Sequence, residues 1–409
     1  MIKAFRALKY RNFKLFFPGL VISQTGIWMQ SVAVAWLVYD ITKSPFAMGS
    51  IMCFNAVPLL FITPFGGVIV DKFDRHKLLF AIQILFALQA FLMTLISYGG
   101  FIHIWNIILL SLFLNIIASI DAPLRQSTFI CLVDDVHDLG NAISLNSCCF
   151  NLARLVGPAL AGLIIARIDV RACFLINFLC LMPSVFLVKM MKINDIKSEE
   201  IKNATIIEGL KEGVRYIATH QQIKLLLQFV AVFSFVVLTY SVLIPMYSKD
   251  VLNSDADVLG LLMSMTGVGA LLASLFLASQ TSTKGLRKFL LCGTLLIGIS
   301  FVGIGMIHSV AFSAFFMFCA GFGMPTFFVS NNMLIQSIVD DDKRGRVMSI
   351  NALCFMGTTS VSSFIAGSIA DFFGIAQTFT IFGCILFLMA VYFGLKLHSI
   401  NFSEKKTLC

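Results

Sequence analysis

Two charges in an apolar run set the chemical question. Asp121 and Arg125 stand inside LLSLFLNIIASIDAPLRQSTFICLV, residues 109–133, which carries no other charge. Four residues apart on a helix, they share one face and can pair, which lowers the cost of holding either away from water. Arg154, near the middle of another apolar run, adds a second deep cation. A carboxylate in such company is pulled two ways: loss of water favours the protonated acid, and a guanidinium favours the ionised one. An anionic ligand that occupies the arginines shifts that balance. Asp121 then takes up and releases a proton, while Arg125 and Arg154 attract the acidic group. The alternative is a fixed ion pair that only joins helices.

The elements that hold these residues follow from composition. The 409 residues are 58% hydrophobic and 12% charged, with a mean hydropathy of +0.92, far above the apolar share of a soluble domain. Twelve apolar runs recur, at 15–39, 46–70, 78–98, 105–131, 141–166, 172–191, 223–247, 257–280, 288–307, 311–338, 346–370 and 376–396. Each is long enough to cross a bilayer as a helix. A membrane barrel needs shorter, alternating segments, so the chain reads as an all-α membrane protein with twelve transmembrane helices.

Lys and Arg orient it. With the amino terminus inside, 24 of the 30 basic residues fall in inner segments and 4 in outer ones, leaving Arg125 and Arg154 within the spans. The positive-inside rule thus places both termini in the cytoplasm. The net charge of +9 is topology, with no nucleic-acid partner implied. The leading segment MIKAFRALKYRNFKLFF runs straight into a full-length span and reads as retained. The eleven cysteines lie almost all in apolar runs without CxxC or ligand spacing and read as buried thiols.

A polar stretch separates the spans six and six. The organisation is an amino-terminal bundle (1–191), a linker (192–222) and a carboxy-terminal bundle with a short tail (223–409). TIIEGLKEGVRYIATH, inside the linker, has apolar residues at helical spacing and predicts an amphipathic helix on the inner surface. The halves repeat without gaps over 31 residues: the stretch from Asp138 aligns with that from Lys343, matching Gly140 with Gly345, Ser144 with Ser349, Asn146 with Asn351, Phe150 with Phe355 and Gly162 with Gly367. A duplicated six-helix unit with a central site is the arrangement of alternating access.

Two motifs sit where such a repeat predicts control points. GGVIVDKFDRHK, residues 66–77, offers Gly67 for a close helix approach and Asp71 to pair with Arg75. RLVGPALAG, residues 154–162, offers Gly157 and Gly162 for helix contact and Pro158 for bending. An ordinary charged loop and a kinked packing helix are the plainer readings. In these positions, however, the first resembles the signature loop of the major facilitator superfamily and the second its antiporter motif. Together with WLVYDITKSP, DAPLRQSTF, SNNMLIQSIVDDDKRGRVMS and AGSIADFFG, they resemble the branch that includes enterobactin exporters and macrolide-efflux proteins. The resemblance spans about Phe5 to Lys396.

It implies two pseudo-symmetric six-helix bundles of the major facilitator fold in a bacterial inner membrane. It further implies proton-motive-force-driven export, a monomer, and a cargo that is a siderophore or an amphiphilic drug. TSTKGLRK from Thr281 lacks an acid matching Asp71, a departure that leaves the latch one-sided.

With the first and fourth spans lining the cavity, Gln24 and Gln30 become polar neighbours of the charges. In the second half the matching positions are uncharged, with Thr326 for Asp121, Ser330 for Arg125 and Thr359 for Arg154. Asn331, Asn332 and Gln336 nearby can hydrogen-bond a polar cargo or pack helices. Trp28, Trp36 and Tyr240 are the aromatic candidates. Asp342, Arg344 and Arg346 are expected to latch the bundles through reversible ion pairs. No metal-ligand geometry, Walker motif, or nucleophile and base pair is present, so no cofactor and no enzymatic activity is expected. A siderophore-like anion is the leading cargo, with a macrolide-like drug second and a lysophospholipid flipped between leaflets third.

Overall fold

The computed structural model describes residues 3–133, 135–191, 206–278, 285–340 and 343–399. After a 3₁₀ turn at Lys3–Lys9 come α1 (Arg11–Thr42), α2 (Pro45–Lys72), α3 (Arg75–Tyr98), α4 (Ile104–Leu132), α5 (Val136–Arg167) and α6 (Val170–Lys189). The amphipathic stretch forms α7 (Ile206–Thr219). Then follow α8 (Gln221–Val237), α9 (Tyr240–Met246), α10 (Ala256–Ala278), α11 (Leu286–Met306), α12 (Val310–Ile338), α13 (Arg344–Phe373) and α14 (Ile375–Ser399). Twelve helical stretches are long and apolar enough to cross a membrane, and no strand occurs among the described residues. This is a multi-pass, all-α membrane protein.

One expected span is not a single helix. The seventh run is broken between α8 and α9 and continues into a π-helical turn at Tyr247–Val251. At the break, the Thr239 and Ser241 hydroxyls donate to the Val236 and Leu238 carbonyls, replacing ladder bonds from the backbone. Pro245, inside α9, removes one more donor.

The chain divides into two compact units. The first comprises residues 1–44, 54–200 and 253–264, and the second comprises 45–53, 201–252 and 265–409. In the first, Phe13, Phe16, Leu79, Ile82, Phe86, Leu124 and Phe129 form the core. Polar bonds then lock its helices in register. Asn177 Nδ2 donates to Gln30 Oε1 at 2.6 Å, Gln30 Nε2 to Gln89 Oε1 at 3.1 Å, and Gln89 Nε2 to the Leu110 carbonyl at 3.3 Å. That chain ties α6 to α1, α3 and α4. Ser184 Oγ adds a bond to Gln83 Oε1 between α6 and α3.

Aromatic stacking dominates the second unit. Phe233 lies on Phe327 with centroids 3.5 Å apart, and Phe229 on Phe393 at 4.2 Å. Lipid is as apolar as these side chains, so shape-matched contact, more than escape from water, holds such helices together. The buried Tyr247 hydroxyl donates to the Ile304 carbonyl at 2.9 Å and meets Ser313 Oγ at 3.0 Å, tying the π turn to α11 and α12.

Candidate functional site

The charges of α4 meet as the spacing predicts. Arg125 Nε lies 2.6 Å from Asp121 Oδ2, with each side chain only 10% exposed. The Nε–H is not aimed along that line, so the contact is an ion pair without a formal hydrogen bond. Gln24 of α1 completes the arginine's surroundings. With its amide turned so that oxygen faces the guanidinium, Oε1 accepts from Nη1 at 3.0 Å and Nη2 at 3.1 Å. The other carboxylate oxygen, Asp121 Oδ1, is buried and has no hydrogen-bond partner among the described residues. A buried carboxylate oxygen left bare is costly.

One turn further along α1, Trp28 carries the second cation. The Arg154 guanidinium of α5 sits over its ring, 5.8 Å from the centroid, within cation–π range. Phe150 meets the same indole edge-on at 5.6 Å. Gly157 makes this possible: a Cβ there would lie 2.6 Å from Trp28 Cβ and 2.9 Å from the Thr25 carbonyl oxygen. Three helices of the first unit thus present Asp121, Arg125, Gln24, Arg154 and Trp28, with both arginines held through α1.

Other expected residues stand elsewhere. Gln30 spends both ends of its amide on Asn177 and Gln89 within the bundle. Gly162 packs on the first turns of α10, where its Cβ would come 2.9 Å from Gly260 Cα. Pro158 lies within an α5 that stays helical. In the second unit, Asn331 is fully buried and neither amide atom has a partner among the described residues. Asn332 accepts from Asn351 at 2.7 Å, while Gln336 is exposed. Thr326 donates to the Phe322 carbonyl of its own helix.

Of the expected control points, Arg75 Nη1 donates to Cys131 Sγ at 3.3 Å. Gly67 and Asp71 lie on α2, but their side chains fall outside the described part, as does all of Asp342. Arg346 pairs with Glu212 of α7 at 2.5 Å, and Arg344 is exposed. Sequence reasoning missed Asp74, which caps α3 by accepting from the Lys77 N–H at 2.8 Å; an Asp directly before Arg75 was the available signal. It also missed the partners of α7. No cluster of metal-binding side chains occurs among the described residues.

Comparison with known proteins agrees with this architecture. A family described as transmembrane secretion effector matches residues 2–407. The chain is 26% identical to the staphyloferrin A transporter of Staphylococcus aureus, over 93% of this chain and 95% of that one. It is 20% identical to macrolide efflux protein A of Streptococcus pyogenes, over 94% and 96%. The crystal structure of the nucleoside transporter NupG superposes with a TM-score of 0.73 at 12% identity, covering 95% of this chain and all of that one, a likeness of fold alone.

Proposed function

The chain belongs to the transmembrane secretion effector family of the major facilitator superfamily, and on that premise we propose that this transporter exports a small anionic chelator of the siderophore kind. Export proceeds by alternating access driven by the proton gradient, with the two six-helix repeats as rocking bodies and the linker between them. The protein works as a monomer in the bacterial inner membrane with both termini in the cytoplasm. The observation that carries the reading is the bare, buried Asp121 Oδ1 beside a guanidinium.

Arg125 and Arg154 receive acidic groups of the cargo, and Gln24 releases Arg125 to do so. Proton and cargo bind in turn: Asp121 is ionised while the arginines hold the anion, takes a proton from the outer side once the anion has left, and gives it up on the inner side before the next anion binds, so the two move in opposite directions. Asn331, Asn332 and Gln336 are the polar supports of this scheme, while Gln30, bonded to Asn177 and Gln89, only fixes α1 in the bundle. Gly67, Asp71, Arg75, Gly157, Pro158, Gly162, Asp342, Arg344 and Arg346 govern the conformational change. The 26% identity to a protein named for a siderophore supports this cargo class.

A second reading, export of an amphiphilic drug, is favoured by the macrolide-efflux relative. Mass spectrometry of spent medium from iron-starved cells, with and without the gene and with it restored, separates the two. A chelator lost from the medium and accumulating inside upholds the first. An unchanged profile, with raised macrolide sensitivity, overturns it in favour of the second.

A further inference from the structure

The segment that precedes the first span of each repeat is docked on the amino-terminal end of that repeat's fifth span, and the two dockings are related by the repeat itself. The offset that carries Asp138 to Lys343 is 205 residues. In the first unit, the Ala7 N–H donates to Asn141 Oδ1 at 3.0 Å. In the second, Glu212 pairs with Arg346. Adding the offset to 7 and 141 gives 212 and 346, so the same two repeat positions meet in both halves, through a backbone N–H in the first and an ion pair in the second. A tyrosine accompanies each, one position off the repeat register on the leading segment and three off on the other side: the Tyr10 hydroxyl donates to Asp138 and the Tyr216 hydroxyl to Asp340, both at 3.0 Å. Gly213 brings α7 close, since a Cβ there would stand 2.8 Å from Ile350 Cδ1 and 3.4 Å from Arg346 Cβ.

The sign of the ion pair is inverted between the two. In the first unit a cation on the leading segment, Lys9, meets an anion on α5, Asp138, at 2.5 Å. In the second an anion on the leading segment, Glu212, meets cations on α13, Lys343 at 2.6 Å and Arg346 at 2.5 Å. The sequence around each docking has the matching bias, with Lys3, Arg6 and Lys9 in the first leading segment and Asp135 and Asp138 at the start of α5, against Glu208 and Glu212 in the second leading segment and Lys343, Arg344 and Arg346 at the start of α13.

From this we propose that the 3₁₀ turn and α7 are charge-coded docking elements, each fitted to the fifth-span end of its own repeat and repelled by that of the other. A duplicated protein has two nearly interchangeable receptors for two nearly interchangeable segments. Opposite polarity makes a crossed docking set Lys9 against Lys343, or Glu212 against Asp138, which excludes it by like-charge repulsion.

Hydrogen–deuterium exchange on the purified full-length protein tests this, reading the peptides over 3–9 and 206–219. Lys9→Glu is expected to speed exchange of the first about five-fold or more, and Asp138→Lys added to it to return exchange to within about two-fold of wild type. Glu212→Lys and the triple variant with Lys343→Glu and Arg346→Glu should repeat the pattern over 206–219. The peptide over 229–233 reports the core and should stay unchanged. If a reversal variant does not fold, Lys9→Gln and Glu212→Gln replace it, with an expected two- to five-fold increase. Single variants that leave exchange unchanged, or restored pairs as fast as the singles, would overturn the proposal.

Discussion

Removing the Arg125 guanidinium should be far costlier than removing the whole ion pair. In Arg125→Met, a side chain of similar length replaces the cation, and Asp121 is left with neither oxygen partnered. Both side chains are only 10% exposed, so water does not step in. Breaking a buried pair in this way costs about 3–5 kcal/mol, and an uncompensated charge at mid-span costs about 2.5–3.5 kcal/mol on insertion scales. Gln24 also loses its two donors at 3.0 and 3.1 Å, about 1 kcal/mol more. The double variant Asp121→Leu with Arg125→Met carries no charge into the core and should come within about 1 kcal/mol of wild type. Denaturant unfolding of the four proteins in one detergent measures the cycle. Arg125→Met within about 0.5 kcal/mol of wild type, or a double variant as weak as the single, would refute the view that this pair is buried and mutually dependent. Transport separates stability from coupling, because the double variant should be stable and inactive.

Other predictions follow from single contacts. Gly157→Leu pushes α5 off Trp28, and overpacking of this kind should cost about 1–3 kcal/mol, read as a lowered melting temperature in detergent. Gln30→Leu strands the Asn177 donor and one Gln89 oxygen, at about 1–3 kcal/mol, yet at permissive temperature it should export normally, whereas Gln24→Leu should not; equal loss of export in both would contradict their different surroundings. Lys343 holds the Glu212 carboxyl below its ordinary value of 4.5. A lowered folded value means that its contribution is complete above the ordinary value and is lost as pH falls through the folded one. A nitroxide on Val214→Cys, in a protein whose Cys409 and exposed Cys148, Cys292 and Cys384 are replaced by Ser, should therefore show constant mobility from pH 8 to 6 and loosen only below about 4.5.

What sequence could show depended on whether the cause was local. Twelve spans were legible because twenty apolar residues in a row have one stable use. The Asp121–Arg125 contact was legible because helical spacing alone brings the two together. Gln24 was placed beside the charges by family resemblance, but nothing distinguished it from Gln30, six residues on, which the fold turns toward Asn177 instead. The break in the seventh span depends on hydroxyls of Thr239 and Ser241 taking backbone carbonyls, which the same residues in a continuous helix need not do. Docking of the 3₁₀ turn and α7 pairs residues more than 120 positions apart, so only the repeat offset hinted at it.

The central claim, that Asp121 exchanges a proton for an anionic cargo, is tested most directly in everted membrane vesicles with an internal-acid gradient, followed by a pH-sensitive dye. Adding the compound found missing from the medium should discharge the gradient in vesicles with the wild-type protein and leave it intact with Asp121→Asn, although the variant still binds the compound. Discharge that persists in Asp121→Asn would contradict the account.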